Sequence, residues 1–342
     1  MDETGGEMRL KRLIISSMMI FVTAAVFYGE EKGVEPTPPP AGVVKLTSWS
    51  ALDTGRGRTL WWVYRDGREE AVQAPPSLYF FPHISPDGNK ISFTSEAGGD
   101  REVWILDTVQ NTVRRLTFTE ASDNQPIWSP DGKRIVFNSE CALRVISQRG
   151  GIAGIVSMPA DGSGEAELLG ISPGKWLFPF SWDKDGKILV TSELGPSYDN
   201  FDIGMLSTEW DRPYEILFKE AYHEMQPQLS PDGRWLAYST TEASVQGEVY
   251  VSPFPDVKAG KWKVSTGGGN SPRWSKDGKE LYYLIGYNNA EAVMAVDVAT
   301  GPNFKAGKPR VLFTGKYLGT FPNHGIPYDV HPDGQKFLMI KE

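Results

Sequence analysis

The chain is nearly free of cysteine: Cys141 stands alone among 342 residues, so no intrachain disulfide holds the fold together. Its position between strand candidates marks it as a bystander rather than a nucleophile. Histidine is scarce as well. His83, His223, His324 and His331 are the whole set, and none sits in a metal-ligand spacing such as His-x-x-x-His. Positive charge falls short of negative: the formal net charge is −8 and the isoelectric point about 5.2, with no basic stripe. That excludes nucleic acid as a partner, because its binding requires a positive surface. Gly267-Gly268-Gly269-Asn270 lacks the Lys-Ser/Thr of a phosphate loop and reads as a turn, as does the Asp161–Glu165 stretch. We expect no serine-hydrolase nucleophile elbow, no catalytic residue and no cofactor.

What the chain has in quantity is a repeat. In "QPIWSPDGKRIVF" (Gln125–Phe137), Ser129-Pro130-Asp131-Gly132 has the residues of a type I turn. Asp-Gly recurs before a strand-like run at Asp87, Asp131, Asp185, Asp232, Asp277 and Asp333, with gaps of 44, 54, 47, 45 and 56 residues. Three residues before each Asp stand Ile84, Trp128, Trp182, Leu229, Trp274 and Val330, all large and apolar. After each turn, apolar residues alternate, as in Ile135 and Phe137 or Leu281 and Tyr283, the period of a half-buried strand. Two further strand candidates lie between successive copies, such as "REVWILDT" and "TVRRLTF". Four short strands in each repeat of 40–50 residues is the signature of a β-propeller blade. The expected fold is all-β, a six-bladed propeller, with the Trp column wedged between neighbouring sheets.

The last copy, "YDVHPDGQKFLMI", supplies only two strands. The segment "RTLWWVYRDGREEAVQ" (Arg58–Gln73) has the pattern of the missing pair. The termini are therefore expected to share one blade, which removes open sheet edges. "VVKLTSW" (Val43–Trp49) also looks strand-like; the pattern leaves open whether it joins that closing blade or covers it.

Ahead of the repeats, Arg9, Lys11 and Arg12 precede an apolar run of 15 residues from Leu13 to Phe27. This is the pattern of an export signal or of a short helical membrane anchor. In either case the propeller is placed outside the cytoplasm, periplasmic or extracytoplasmic. The domain reading is thus residues 1–29 signal peptide or membrane anchor, 30–57 Pro-rich linker, and 58–342 propeller.

The "SPDG" copies "QPIWSPDGKRIVF" and "MQPQLSPDGRWLAYS" resemble the TolB-type, WD40-like propeller repeat of bacteria. "RTLWWVYRDGREE", "EVYVSPFPDVKAGKWKVSTGGGNSPRWSKDGKELYYL" and "YDVHPDGQKFLMI" are further similar to the C-terminal propeller of bacterial membrane-bound serine/threonine kinases. The chain lacks "HRD" and "DFG", so the kinase domain itself is missing. The resemblance implies a sensor or scaffold module rather than phosphoryl transfer. It carries over no binding residue, because the repeat motif is structural.

The innermost strand of each blade begins just before the SPDG turn, so the residues at its entry ring one mouth of the channel. The candidate ligand-binding residues there are His83, Asp123, Gln125, His223, Glu224, Gln226, Arg273, His324 and Tyr328. Such a mixed mouth suits a ligand or peptide. Asp123, Glu224, His223 and His324 could alternatively hold a cation, or the polarity could serve the blades' own backbone groups. His331 takes the Ser place of its turn and is read as a surface residue. The leading functional expectation is a non-catalytic exported propeller that binds an envelope protein, peptide or small ligand. The alternatives are a propeller-type hydrolase or lyase with a channel metal or base, and an orphaned sensor domain of a receptor kinase.

Overall fold

Each Asp-Gly turn closes on itself in the same way. In the Ser129 turn, the Gly132 N–H donates to the Ser129 carbonyl at 2.9 Å. The Ser129 hydroxyl donates to the Asp131 carboxylate at 2.6 Å and accepts from the Arg134 N–H at 2.9 Å. Ser85, Ser230 and Ser275 repeat the hydroxyl–carboxylate contact with Asp87, Asp232 and Asp277. The turn glycines all lie in the left-handed region, from Gly88 at φ 81° to Gly334 at φ 69°, which a side chain would strain. Asp183 replaces the serine in the third copy and His331 in the sixth. Each still caps the turn, through the Lys187 N–H at 2.8 Å and the Asp333 N–H at 3.3 Å.

The computed structural model describes residues 43–45 and 57–342, except 76, 98–99, 120, 141–152, 173, 195–200, 209–213, 287–288 and 320–324. The expected N-terminal signal or anchor, most of the linker, Cys141 and His324 lie outside the described residues. Among those described there is no helix, so none long and apolar enough to cross a membrane.

The strands form six antiparallel sheets. Their inner strands are Tyr79–Ile84, Asp123–Trp128, Lys175–Trp182, Glu224–Leu229, Asn270–Trp274 and Asp329–Val330, heading blades one to six. The closing blade runs Asp329–Val330, Lys336–Lys341, Thr59–Tyr64, Glu69–Ala71, so both ends of the propeller share it. Thr59 pairs with Lys341 and Tyr64 with Lys336 across that seam. Val43–Lys45 neither joins nor covers the closing blade. It pairs with Thr112–Arg114 as a fifth strand on the outer edge of the first blade. The long gap before the last turn is filled by Arg310–Leu318, which pairs with the twelve-residue strand Asn289–Thr300 of the fifth blade.

Alternation along the strands sends successive side chains into opposite blade interfaces. Ile135 and Phe137 pack against the first blade's Val103 and Ile105, while Val136 packs against the third blade's Leu177 and Ile188. Six apolar clusters result, one at each interface. Trp128 is 4 % exposed, and its indole N–H donates to the His83 carbonyl of the preceding blade at 3.0 Å. Trp274 repeats this with the Gln228 carbonyl at 3.0 Å. The Trp column is therefore blade-to-blade packing.

One ion-pair cluster fastens the chain's two ends to the fifth blade. Arg65 donates to both oxygens of Glu280 at 2.9 and 2.8 Å, and to the Gly334 carbonyl at 3.2 Å. Arg310 and the Tyr282 hydroxyl complete the cage around Glu280. The Arg65 hydrogen bonds hold the Glu280 carboxyl down at about 2. A carboxyl depressed from 4.5 contributes stability above that pH and loses it as pH falls toward 2. Glu280→Gln is expected to lower unfolding free energy by about 2 kcal/mol at pH 7 and to flatten the acid limb below pH 4.5, measured by urea titration at stepped pH.

Candidate functional site

The inner strands are not regular. Their ladder registers slip between Phe80 and His83, Asn124 and Ile127, Pro179 and Ser181, Met225 and Gln228, and Asn270 and Arg273. In four of these bulges a non-glycine residue is left-handed: Phe81 (φ 51°), Gln125 (55°), Gln226 (58°) and Ser271 (56°). Each is followed by a proline: Pro82, Pro126, Pro227 and Pro272. Proline has no N–H to lose from the ladder, so it suits a bulge. This proline column was visible in the sequence and went unread.

The bulges interrupt the ladder, and side chains from neighbouring blades satisfy the backbone that is freed. The residue just before the Trp/Ile/Leu column does this most often. His83 Nδ1 accepts from the Trp128 N–H at 3.4 Å, the Ser181 hydroxyl from the Leu229 N–H at 3.2 Å, and the Asp329 carboxylate from the Ile84 N–H at 2.7 Å. Gln228 donates to the Phe180 carbonyl at 2.8 Å and accepts from Arg273 at 2.9 Å. Arg273 in turn pairs with Asp329 at 3.3 Å. These contacts join every neighbouring pair of blades but the second and third, where the apolar Ile127 holds the corresponding place. Ser181, Gln228 and Asp329 were missed by the sequence reading; a polar residue inside an otherwise apolar inner strand was the available signal.

A second lacing lies at the left-handed residues. Gln125 donates to the Pro179 carbonyl at 2.9 Å. The Gln226 side-chain oxygen accepts from the Ser271 N–H at 2.8 Å and the Ser239 hydroxyl at 2.9 Å. The Tyr328 hydroxyl donates to the Ser271 carbonyl at 3.0 Å. Five of the nine expected mouth residues, His83, Gln125, Gln226, Arg273 and Tyr328, are thereby tied into the ring's own backbone.

Asp123, His223 and Glu224 stand instead at the entries of the inner strands. Asp123 is fully buried; one carboxylate oxygen accepts from the Thr119 hydroxyl at 2.9 Å, and burial pushes its pKa up. His223 accepts from the Phe201 N–H at 3.2 Å through Nδ1 and lies against the Phe201 ring. Glu224 is 1 % exposed, and its Oε2 has no hydrogen-bond partner. Burial pushes its carboxyl up to about 8, with Glu220 and Asp202 adding to the rise and Lys261 opposing it. Among the described residues no three His, Cys, Asp or Glu side chains gather as a metal-binding group. Asp123, His223 and Glu224 therefore do not assemble the cation set considered from sequence.

Glu224 lines a cleft of about 570 Å³ between the end of the third blade, with the segment that follows it, and the fourth blade. Leu217, Phe218 and Val257 supply apolar wall, and Tyr238 and Ser252 lie at its buried side. One Gly-x-Ser-x-Gly spacing does exist, at Gly170–Gly174, contrary to expectation. It links a strand of the second blade to one of the third, with Ser172 bridged to Lys175. A nucleophile elbow needs a strand-to-helix turn, so this serine is a connector.

A family model described as the TolB beta propeller domain (PD40) matches residues 63–258. The chain belongs to this family. Two solved TolB-type propellers share its fold. The putative TolB from Agrobacterium tumefaciens superposes with a TM-score of 0.63 at 17 % identity, covering 83 % of this chain and 98 % of that one. TolB from Acinetobacter baumannii gives 0.51 at 16 %, covering 84 % and 64 %. Among curated relatives, the "Uncharacterized peptidase YuxL" of Bacillus subtilis is 27 % identical over 176 residues, which is 50 % of this chain and 24 % of that protein. "Uncharacterized protein Atu1656" of Agrobacterium fabrum is 26 % identical over 166 residues, 45 % of this chain and 52 % of that protein. This TolB-type chain thus spans about a quarter and about half of those relatives.

Two groups in the TolB-type ring give opposite pH dependences. Burial pushes the His83 imidazole down to about 4 from 6.5, with Asp329 opposing and Arg273 assisting. The unfolded chain takes up that proton first, so stability is lost as pH falls from 6.5 to 4. His83→Gln is expected to cost about 1 kcal/mol at pH 7 and progressively less toward pH 4.5. Glu224 keeps its proton to about 8 when folded and releases it near 4.5 when unfolded, so stability falls as pH rises between them. Glu224→Gln is expected to gain on wild type from pH 5 to 8.5. Urea midpoints at stepped pH measure both, and parallel profiles for variant and wild type would contradict them.

Proposed function

We propose that this protein is a non-catalytic, exported propeller that binds a protein, peptide or small ligand in the cell envelope, as a sensor or scaffold module. The observation that supports this most is the cleft beside Glu224. Glu224, Tyr238 and Ser252 line it, and the buried Glu224 Oε2 has no hydrogen-bond partner. Buried polar groups in a folded protein are normally satisfied, and an unsatisfied carboxyl oxygen beside a preformed cavity is a binding opportunity. The rigid ring keeps the ordering cost of binding low. Asp123 and His223 stand at inner-strand entries like that of Glu224 and extend the proposed surface along the mouth. The basic flank and apolar run at residues 9–27 support export, by a cleaved signal or a retained anchor. The likeness to kinase propellers supports a signal-receiving role detached from its kinase.

The second reading is a propeller-type hydrolase or lyase. The relative described as a peptidase favours it, although this chain spans only 24 % of that protein. Two measurements separate the readings. Purified protein is assayed for bound metal and for turnover of lactone, ester and peptide panels. Immobilised wild type and a His223→Ala/Glu224→Ala variant are compared for retention of envelope components. Binding predicts no turnover, with a component retained by wild type and lost by the variant. Turnover above the level of that variant would establish the enzyme instead.

A further inference from the structure

The outer strand of the third blade departs from its counterparts in the first and fourth. There, Leu116 and Val264 donate their N–H groups to the Val103 and Val249 carbonyls at 2.8 and 2.9 Å, which fixes a common register. The residue before each is a cation, Arg115 or Lys263, paired with the acid that begins the third strand, Glu102 or Glu248. The residue after each carries a hydroxyl, Thr117 or Ser265, which accepts from the Val103 or Val249 N–H at 3.0 and 2.8 Å. In the third blade the register runs through Leu217, whose N–H donates to the Ile203 carbonyl at 2.9 Å. The flanking places hold Ile216 and Phe218. Asp202 keeps the acid's place but pairs with Lys175 of the blade's inner strand at 2.9 Å. Two apolar residues thus stand where the other blades have a cation and a hydroxyl, and the blade's ion pair does not use them.

That outer strand, Glu215–Ile216, is the last of its sheet among the described residues. Because Leu217 bonds to Ile203, Ile216 faces Gly204 in a non-hydrogen-bonded pair. Its N–H and carbonyl therefore point out of the sheet, and the residue is 40 % exposed. An open edge of this kind is a template for an added strand. The first blade shows the same operation within this chain, where Val43–Lys45 pairs along Thr112–Arg114.

Charge decides which strand would fit. Ile216 lies on the cleft of about 570 Å³, where Phe218 and Val257 give apolar wall. Lys219 and Lys258 line the same cleft, are exposed, and form no ion pair among the described residues. Lys261 and Glu220 stand there too, Lys261 already paired with Glu242. Burial keeps Glu224 protonated to about 8, so it adds no charge at pH 7. On a chain of net charge −8 this is a local reversal of sign, and it selects an acidic partner.

We propose that the outer edge of the third blade and the adjoining cleft bind an extended acidic peptide segment of a partner protein. The segment is added as a strand along Ile216, with an apolar side chain against Phe218 and Val257 and its carboxylates toward Lys219 and Lys258. The proposal rests on the binding reading above and assigns its partner class.

Fluorescence polarisation of the full chain at pH 7 tests it, with fluorescein-labelled Glu-Glu-Val-Phe-Val-Glu-Glu and its basic counterpart Lys-Lys-Val-Phe-Val-Lys-Lys. Saturable binding of the acidic peptide is expected, with the basic one weaker by about tenfold or more. Ile216→Pro removes the outward N–H without touching the blade's own ladder, and should weaken the acidic peptide about tenfold. Lys219→Ala/Lys258→Ala should weaken it about threefold to tenfold; both positions are exposed, so this variant carries the test if the proline variant does not fold. Equal binding of the basic peptide, unchanged affinity in the lysine variant, or no saturation up to about 1 mM overturns the proposal. A dimer seen by sedimentation and dissolved by Ile216→Pro gives the edge to a second copy of this chain and overturns it as well. If the peptide fails while an envelope component is still retained in the comparison above, the partner class falls and the binding reading stands. Failure of both removes both.

Discussion

A bulge in each of the first five inner strands is the constraint on which the rest of this propeller depends. Where the chain turns left-handed at Phe81, Gln125, Gln226 and Ser271, the hydrogen-bond ladder inside the blade is broken. A buried N–H or carbonyl without a partner costs about 1–3 kcal/mol, so five such breaks would be ruinous if left open. The blades solve this mutually. Each supplies a side chain to the backbone of its neighbour, as Asp329 does for Ile84, His83 for Trp128 and Ser181 for Leu229. Rigidity at the axis is therefore a property of the closed ring and not of any one blade.

That mutual dependence explains why closure is reinforced so heavily. A girdle that passes from the sixth blade to the first through Asp329 and Ile84 requires the sixth blade to be complete. The sixth blade is complete only when Thr59–Tyr64 lies against Lys336–Lys341. Arg65 sits just past that strand and reaches Glu280 of the fifth blade and the carbonyl of Gly334. One guanidinium thus joins the start of the propeller, its end and the adjoining blade. Its planar fork can serve both oxygens of a carboxylate at once, which a lysine could not do.

The parts legible in the sequence were those governed by local rules. The SPDG turns, the apolar alternation and the Trp column are set by residues within a few positions of one another, and they place six blades and the shared closing blade correctly. Val43–Lys45 had no such rule: a three-residue strand pairs with whichever edge is near, and here that is the first blade. The site was harder for a different reason. Polar residues at inner-strand entries look alike in sequence whether they serve a ligand or a neighbouring backbone. Gln125 and Gln226 turn out to be bound to main-chain groups of the next blade, while Glu224 is not. The difference depends on which atoms face across a blade interface, and that is not encoded in spacing. The proline after each left-handed residue was the clue that could have separated them, since it marks where the backbone needs outside partners.

The same reasoning separates the axis from the flank. Along the axis, polarity is matched donor to acceptor: Gln228 gives to Phe180 and takes from Arg273, and Arg273 meets Asp329. Displacing any of these by a ligand would reopen a bulge, so the axis has little free energy to offer a partner. Beside the fourth blade the balance differs. Glu224 begins the inner strand ahead of the bulge, where the ladder with Thr240 is intact, and its side chain is not needed by a neighbour's backbone. A carboxyl buried there raises the energy of the empty state, because it must either hold a proton or face Glu220 and Asp202 as a like charge. The unpartnered carboxyl and the opening thus coincide where the third and fourth blades meet, while the matched groups fill the centre.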